Sequence, residues 1–303
     1  MVRSVNKVAA RPGRKRLALS QADELFERAR RAKRAPARWG YVGQLQRLAT
    51  EAVFRKAVAL LASATGQDRS LAAYVLSQLG YERDEPPFRA GSVRALLHAL
   101  ETEKETEVLE ALVLALSRLY ARRAIPKLVL LAAHPAPEVR RAIAAELIHC
   151  TQERGWGDER PDSRVTTVLL KLSRDSVGSV RDWACFSIGN SAQDSPELRD
   201  AFVERLRDRH VDTRVEAIAA LARRNDRRAI EPLLEILHRR SWRVGTWVTS
   251  DLVTFAGQTR DRRFLPYLEG FQKWDLPEGE LAEVKKAISR IKMPSQTRST
   301  RRF

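Results

Sequence analysis

The fold is decided by a ten-residue stretch, VRDWACFSIG at residues 180–189, which returns in altered form along the chain. Two clear copies are VRRAIAAEL at residues 139–147 and TRVEAIAAL at residues 213–221. Weaker copies span residues 68–76, 108–116 and 242–250. The anchor position of the copies, an arginine in most of them, recurs at intervals of 29 to 41 residues. Repetition at such intervals is typical of solenoid proteins.

The spacing of apolar residues within each copy is that of a helix. Apolar or small residues stand one position before, three after and seven after the anchor, and at 100° per residue these positions share one helix face. Prolines lie near the start of intervening segments, at Pro126, Pro232 and Pro266. Proline is tolerated there because the first N–H groups of a helix have no partner within it. The pattern predicts repeated units, each with a Pro-started outer helix followed by an inner helix.

These residues resemble the HEAT repeat, in the compact form found in phycobilisome lyases and many bacterial proteins, over roughly residues 60–270. The resemblance implies an all-α fold, an α-solenoid of about six helix pairs whose inner helices line a concave face. It implies no reaction, because such arrays host many functions. In the family, the inner-helix arginine pairs with an acid from a neighbouring unit. By that resemblance Arg140, Arg181 and Arg214 are ladder residues, with Asp175, Asp208 or Asp212 as partners.

The net charge of +17 is concentrated at the two ends of the sequence. Residues 1–38 hold 12 basic and 3 acidic residues, and residues 284–303 hold 7 basic and no acidic residues. Residues 39–283 therefore carry a net charge of only +1. We predict a basic N-terminal arm at 1–38 with a short helix at about 20–34 that begins at Ser20, a HEAT-like solenoid at 39–283, and a basic tail at 284–303.

The basic ends have the composition of solvated segments. Either they keep the protein soluble or they bind polyanions such as nucleic acid, and the sequence leaves both interpretations open. The candidate polyanion-binding residues are Arg11, Arg14, Lys15, Arg16, Arg298, Arg301 and Arg302.

Composition also indicates where the protein works. No apolar run approaches the about 18 residues that a membrane-spanning helix requires, so no membrane insertion is expected. The two cysteines, Cys150 and Cys185, are too few for a disulfide framework or a Cys-rich metal site. We expect a cytoplasmic protein.

Catalytic patterns are scarce. The chain has no Gly-rich phosphate loop, no His-Glu-x-x-His and no Gly-x-Ser-x-Gly motif, and its five histidines are scattered. We therefore expect no catalytic site, no metal and no cofactor, and a protein that is not an enzyme.

The candidate binding surface follows from the helical wheel. If the positions described above are buried, those two, five and nine after the anchor point towards the concave face. Trp183 and Phe186 stand three apart at the centre of this strip and would anchor a partner protein, unless they pack against the adjacent unit. The predicted binding residues are Tyr74, Gln78, Arg118, His149, Asp182, Trp183, Phe186, Asn190, Glu216 and Arg223.

The sequence is compatible with three functions. A scaffold that binds a protein partner on its concave face needs only the extended surface of a repeat array. The alternative is nucleic-acid binding. Alkylpurine DNA glycosylases of HEAT-like architecture hold DNA in a basic concave face with tryptophans and an acid, which Asp182 beside Trp183 resembles faintly. The near-neutral body argues against it. A phycobilin-lyase-like role rests on the repeat resemblance alone. The sequence names neither the partner nor the oligomeric state.

Affinity for polyanions is predicted to reside in the ends of the chain. A fragment spanning residues 39–283 should bind a fluorescein-labelled DNA duplex far more weakly than the full chain, and the difference should shrink with added salt because each phosphate contact releases counterions. Fluorescence anisotropy measures the affinity of each protein for the duplex and its dependence on salt. Equal binding at moderate salt would reveal a basic groove in the repeat region.

Overall fold

The protein is helical wherever its structure is described. The computed structural model describes residues 20–152, 161–238, 246–273 and 276–293, and in those ranges it contains no strand. The α-helices among the described residues are, in chain order, α1 (Gln21–Arg31), α2 (Ala35–Leu48), α3 (Glu51–Leu60), α4 (Gly66–Ser77), α5 (Arg89–Thr102), α6 (Thr106–Arg118), α7 (Ile125–Leu131), α8 (Pro137–Glu146), α9 (Ser163–Leu172), α10 (Gly178–Gly189), α11 (Pro196–Arg205), α12 (Val211–Arg223), α13 (Ile230–His238), α14 (Thr246–Thr259), α15 (Leu265–Phe271) and α16 (Glu278–Lys292). The predicted all-α class is confirmed.

The helices form two compact units, residues 1–92 and 93–303. In the first unit α1 packs on α2, α3 on α4, and α2 on α4. Helix α1 begins as predicted, because the Ser20 side chain accepts a hydrogen bond from the backbone N–H of Asp23. Phe26 and Ala29 of α1 are fully buried, so this helix belongs to the core of the first unit.

The second unit repeats one arrangement of helix pairs. The even-numbered helices pack in succession, α6 on α8, α8 on α10, α10 on α12, α12 on α14 and α14 on α16. The odd-numbered helices α7, α9, α11 and α15 each pack on the even-numbered helix that follows. This alternation is the predicted repeat of an outer and an inner helix, and the even-numbered helices are the inner ones.

A recurring turn separates an inner helix from the next outer helix. Tyr120, Asn225 and Arg260 follow α6, α12 and α14 and have positive φ angles of 50°, 50° and 56°. A single left-handed residue ends a helix and redirects the chain. A short 3-10 turn follows each, and then α7, α13 or α15 begins with the predicted proline in its first turn.

An aspartate fixes this turn in two of its copies. Asp226 accepts from the backbone N–H of Arg228 and from its guanidinium, and Asp261 does the same with Arg263. The hydrogen bonds from Arg228 lower the pKa of Asp226 to about 2 despite its burial. The carboxylate therefore remains ionised over the whole physiological range and holds the start of the 3-10 turn.

A ladder of arginine and aspartate joins consecutive helix pairs. Arg140 Nε donates to Asp175 at 2.7 Å, and Arg181 Nε donates to Asp208 at 2.8 Å, each acid coming from the turn of the next pair. Both arginines also donate to backbone carbonyls of the turn before their own helix. The side chains of Arg181 and Asp208 are only 5% and 4% exposed. The predicted ladder is confirmed for these two arginines, whereas Arg214 donates to the backbone carbonyl of Asp208.

Two opposing effects act on the carboxyl of Asp208. Its burial raises the pKa, but the hydrogen bonds from Arg181 and from the backbone N–H of His210 outweigh burial and hold the pKa below its ordinary value. The group is therefore a buried anion that depends on its partners.

The predicted domain boundaries do not coincide with the ends of helices. Helix α2 runs through the boundary at 38/39, and α16 runs through the boundary at 283/284. Charge suggested these boundaries, while apolar packing determines where helices end. The predicted polyanion-binding residues fall in 1–19 and 294–303, outside the described residues.

Removing the carboxylate of the buried pair should destabilise the protein strongly. Asp208→Ala leaves the guanidinium of Arg181 buried without its counter-charge, and breaking such a pair costs about 3–5 kcal/mol. Urea unfolding followed by circular dichroism measures the loss.

The matched control is Glu204→Ala on the neighbouring helix α11. Glu204 pairs with Arg174 at 2.9 Å, but both side chains are about half exposed, so its loss should cost less than about 1 kcal/mol. Equal losses in the two variants would contradict a structural role for the ladder.

Candidate functional site

Helix α10 presents an apolar side to the core and an aromatic side outward. Val180, Ala184 and Ile188 are spaced by four residues and are buried. Trp183 and Phe186 lie on other sides of the helix, as the wheel predicts, and Trp183 is 37% exposed.

Helix α10 is held by polar bonds to both neighbouring inner helices. Ser187 Oγ donates to the carbonyl of Ala144 in α8 at 2.7 Å. Arg224, just after α12, donates to the carbonyls of Ile188 and Gly189 at 3.1 and 3.0 Å. The Ile188 carbonyl also accepts from the backbone N–H and the hydroxyl of Ser191, so Arg224 adds a link from the next repeat to the end of the helix. The outward side of α10 is thereby fixed in orientation.

Helices α10 and α12 approach closely because one contact residue has no side chain. A Cβ at Gly189 would lie 2.9 Å from the Cβ of Ala220. That distance is shorter than carbon atoms tolerate. The close approach therefore requires glycine at 189.

The aromatic side chains of α10 form an edge-to-face pair. The ring centroids of Trp183 and Phe186 lie 5.4 Å apart at 80°, a favourable geometry for aromatic rings. Phe186 is half-buried, and the exposed Asn190 donates its Nδ2 to the carbonyl of Phe186 at 2.7 Å. Hereafter Asp182, Trp183, Phe186, Asn190 and Glu216 are called the α10–α12 face.

Glu216 does not point outward as the wheel predicts. It is only 7% exposed. Helix α12 packs against α10, α11 and α14, and residues 215–222 are all buried. Several of these residues are alanine, which lets the neighbouring helices come close on several sides. An outward angle on the wheel therefore does not bring Glu216 to water.

Burial perturbs both carboxyls of the face. It raises the pKa of Glu216 to about 7, with the nearby charge of Asp182 adding to the effect. Burial also raises the pKa of Asp182 to about 6, assisted by the charge of Asp212. Each carboxyl therefore loses its proton at a higher pH than an exposed acid does.

Arg223 is a cation on α12 whose charge acts on Glu216, and its Nη1 atom is buried without a hydrogen-bond partner among the described residues. Its Nε donates to Asp251 of α14 at 2.6 Å, and its side chain is 17% exposed. The Oε2 atom of Glu216 is buried and has no hydrogen-bond partner among the described residues. The wheel did not include Asp251, because nothing in the sequence links residue 251 to Arg223.

The other predicted binding residues lie elsewhere. Arg118 is exposed on α6, and the Nδ1 atom of His149, in the turn after α8, lies 3.0 Å from Gln152 Oε1. Tyr74 and Gln78 belong to the first unit, where the Tyr74 ring meets Trp39 edge-on at 4.7 Å. The predicted residues Asp182, Trp183, Phe186, Asn190, Glu216 and Arg223 lie on or at the end of the packed helices α10 and α12.

The described residues contain no group of three or more His, Cys, Asp or Glu side chains that could hold a metal ion. Cys150 and Cys185 are buried free thiols, and burial raises the pKa of Cys150 to about 12 and that of Cys185 still higher. Within the same residues, no helix is long and apolar enough to cross a membrane.

The stacked helix pairs with their arginine ladder form a helical repeat fold that resembles HEAT repeats. Residues 166–252, from α9 to α14, match the family model described as HEAT repeats. The resemblance stated from the sequence is thus confirmed.

One curated protein and two solved structures are similar to this chain. Protein YibA of Escherichia coli strain K12 is 34% identical over 108 residues, which cover 36% of this chain and 36% of YibA. The match thus spans about a third of that relative. The crystal structure of YibA aligns with a TM-score of 0.64 at 23% identity, covering 91% of this chain and 93% of the other. An engineered protein aligns with a TM-score of 0.53 at 18% identity, covering 90% and 79%. At these identities the structures show the fold.

The two raised pKa values predict an unusual pH dependence of stability. In the unfolded chain both carboxyls have a pKa of about 4. Because their folded-state pKa values are higher, their contribution favours the folded chain most below about pH 4 and is lost as the pH rises through about 7. Glu216→Gln removes the contribution of Glu216, the carboxyl with the higher pKa of the two. The stability of this variant relative to the parent should therefore rise by up to about 3 kcal/mol between about pH 4 and about pH 8.

Urea unfolding at several pH values provides the measurement. Glu235→Gln, at an exposed position of α13, serves as the control and should show no such trend. A constant difference between Glu216→Gln and the parent across this range would mean that Glu216 titrates normally.

Proposed function

We propose that this chain is a non-enzymatic HEAT-repeat scaffold that binds a partner protein through the α10–α12 face. The observation that carries the proposal is the exposed Trp183 on an inner helix whose orientation is fixed on two sides. Tryptophan is enriched among the residues that carry most of the binding energy at protein interfaces, because it buries a large area and loses little conformational entropy.

The surroundings of Trp183 fit such an anchor. Its edge contact with Phe186 restricts the ring without covering it. Asn190 and Asp212 are exposed at the margin and supply the polar rim that protein interfaces have. The inner helices of the second unit give a continuous surface for an extended partner.

Nucleic-acid binding is the second candidate, and the distribution of charge favours it only at the ends of the chain. Residues 39–283 carry a net charge of +1, while the two flanking segments carry most of the total of +17. The carboxylates Asp182 and Glu216 repel phosphate from the α10–α12 face. Any affinity for nucleic acid is therefore proposed for the ends, separate from the protein-binding face.

Trp183→Ala should abolish partner binding while leaving the fold nearly intact. Truncating an exposed interface anchor commonly costs about 2 kcal/mol or more in binding. Truncating a fully buried aromatic would instead cost about 3–5 kcal/mol in stability. The full-length chain and the variant are each used to capture proteins from a lysate of the source organism after nuclease treatment, and both are melted thermally.

Leu130→Ala is the matched control, because Leu130 is 76% exposed on the outer helix α7. At least one captured protein should be retained by the parent and by Leu130→Ala but lost by Trp183→Ala. If no captured protein depends on Trp183, or if the variant melts about 10 °C lower, the proposed face is wrong.

A further inference from the structure

The α10–α12 face contains a buried carboxylate that the fold itself does not use. Glu216 is more than nine-tenths buried, and its Oε2 atom has no hydrogen-bond partner among the described residues. Burying a carboxylate without a donor is unfavourable, so such a group calls for an explanation beyond folding. Its α12 neighbour Arg223 directs its Nε to Asp251 instead.

Among the described residues, the charged groups that act on Glu216 are mostly acidic. They come from every helix packed on α12 and from α12 itself. The ionisable groups concerned are Asp182 and Cys185 on α10, Arg205 on α11, His210, Asp212 and Arg223 at or on α12, and Asp251 on α14. Arg205 is paired with Asp208, and Arg223 with Asp251. Arg223 nevertheless lowers the pKa of Glu216 and His210 lowers that of Asp182, so the negative charge of this region is partly compensated.

The aromatic pair lies beside this negative region. Asp182 and Phe186 are four residues apart on α10 and share one side of the helix, and Trp183 follows Asp182 directly. An indole face attracts a cation through its quadrupole, and a nearby carboxylate attracts the same cation by its charge. A ligand has access to Asp182, which is half-buried, and to Asp212, whose side chain is 74% exposed, whereas Glu216 is buried.

We propose that the α10–α12 face binds a lysine or arginine side chain of the partner protein, seated against Trp183 and the carboxylate of Asp182, with the charge of the buried Glu216 adding to the attraction. This inference rests on the proposed function, since it specifies the chemistry of the partner segment. That segment carries a basic residue flanked by apolar residues, which cover the Trp183–Phe186 pair. A phosphate-bearing ligand does not fit, because the carboxylates repel it.

The raised pKa values of Asp182 and Glu216 agree with this assignment. A bound cation stabilises the ionised carboxylates, so binding should release protons near neutral pH. Affinity for a basic segment should therefore increase as the pH rises from about 5 to about 8.

The test selects peptides from a random phage-displayed library on the full-length chain. Enriched peptides are synthesised with their basic residue intact or replaced by norleucine, and their affinities are measured by fluorescence anisotropy at about pH 5 and about pH 8. The comparison variants are Asp182→Asn/Glu216→Gln, Trp183→Ala, and Glu107→Gln/Glu235→Gln. The last removes the same charge from exposed positions on α6 and α13.

The expected result is a set of peptides that contain Lys or Arg and depend on Trp183. They should lose about tenfold in affinity in Asp182→Asn/Glu216→Gln and on norleucine replacement, and little in the control double variant. They should also bind more tightly at the higher pH.

Other outcomes overturn the inference. Peptides that depend on Trp183 but bind equally well with norleucine would refute the cation site and leave the proposed function standing. Selection of no peptide, or only of peptides indifferent to Trp183→Ala, would refute both. Binding of a labelled DNA oligonucleotide that requires Trp183 would show that the face takes nucleic acid.

Discussion

The buried ion pair between Arg181 and Asp208 is the interaction on which the second unit depends. The arginine belongs to one helix pair and the aspartate to the next, and neither charge tolerates burial alone. Because Arg181 also binds carbonyls of its own turn, it fixes three parts of the chain at once. Arg140 and Asp175 repeat the arrangement one pair earlier. The register between consecutive pairs is thus set by charge as well as by apolar packing.

That fixed register is what makes the α10–α12 face a defined surface. Arg224 donates to carbonyls at the end of α10, and Ser187 holds the same helix to α8. Trp183 therefore lies on a helix whose orientation is fixed by hydrogen bonds to both neighbouring helices. A binding anchor on a rigid element loses little freedom when a partner arrives, which is the condition under which a small aromatic patch gives useful affinity.

The sequence was sufficient for the fold because the repeat pattern is strong and local. The anchor arginines and the apolar positions around Val180 identified the inner helices, and the prolines identified outer helices at Pro126 and Pro266. The burial of Glu216 could not be predicted from the sequence in the same way. Its angle on the helix predicts exposure, but its burial depends on how closely α10, α11 and α14 approach, which involves residues far away in sequence. The partner of Arg223 escaped prediction for the same reason.

The α10–α12 face depends on Gly189, a residue that does not belong to it. The separation of α10 and α12 depends on the lack of one methyl group, since a Cβ at 189 would collide with Ala220. A chain with alanine there would have to hold α12 farther away and admit water to Glu216, whose carboxyl would then behave as an ordinary surface acid. Evolution could thus retune the acidity of this region through a residue outside it, while every group that forms the surface stays the same.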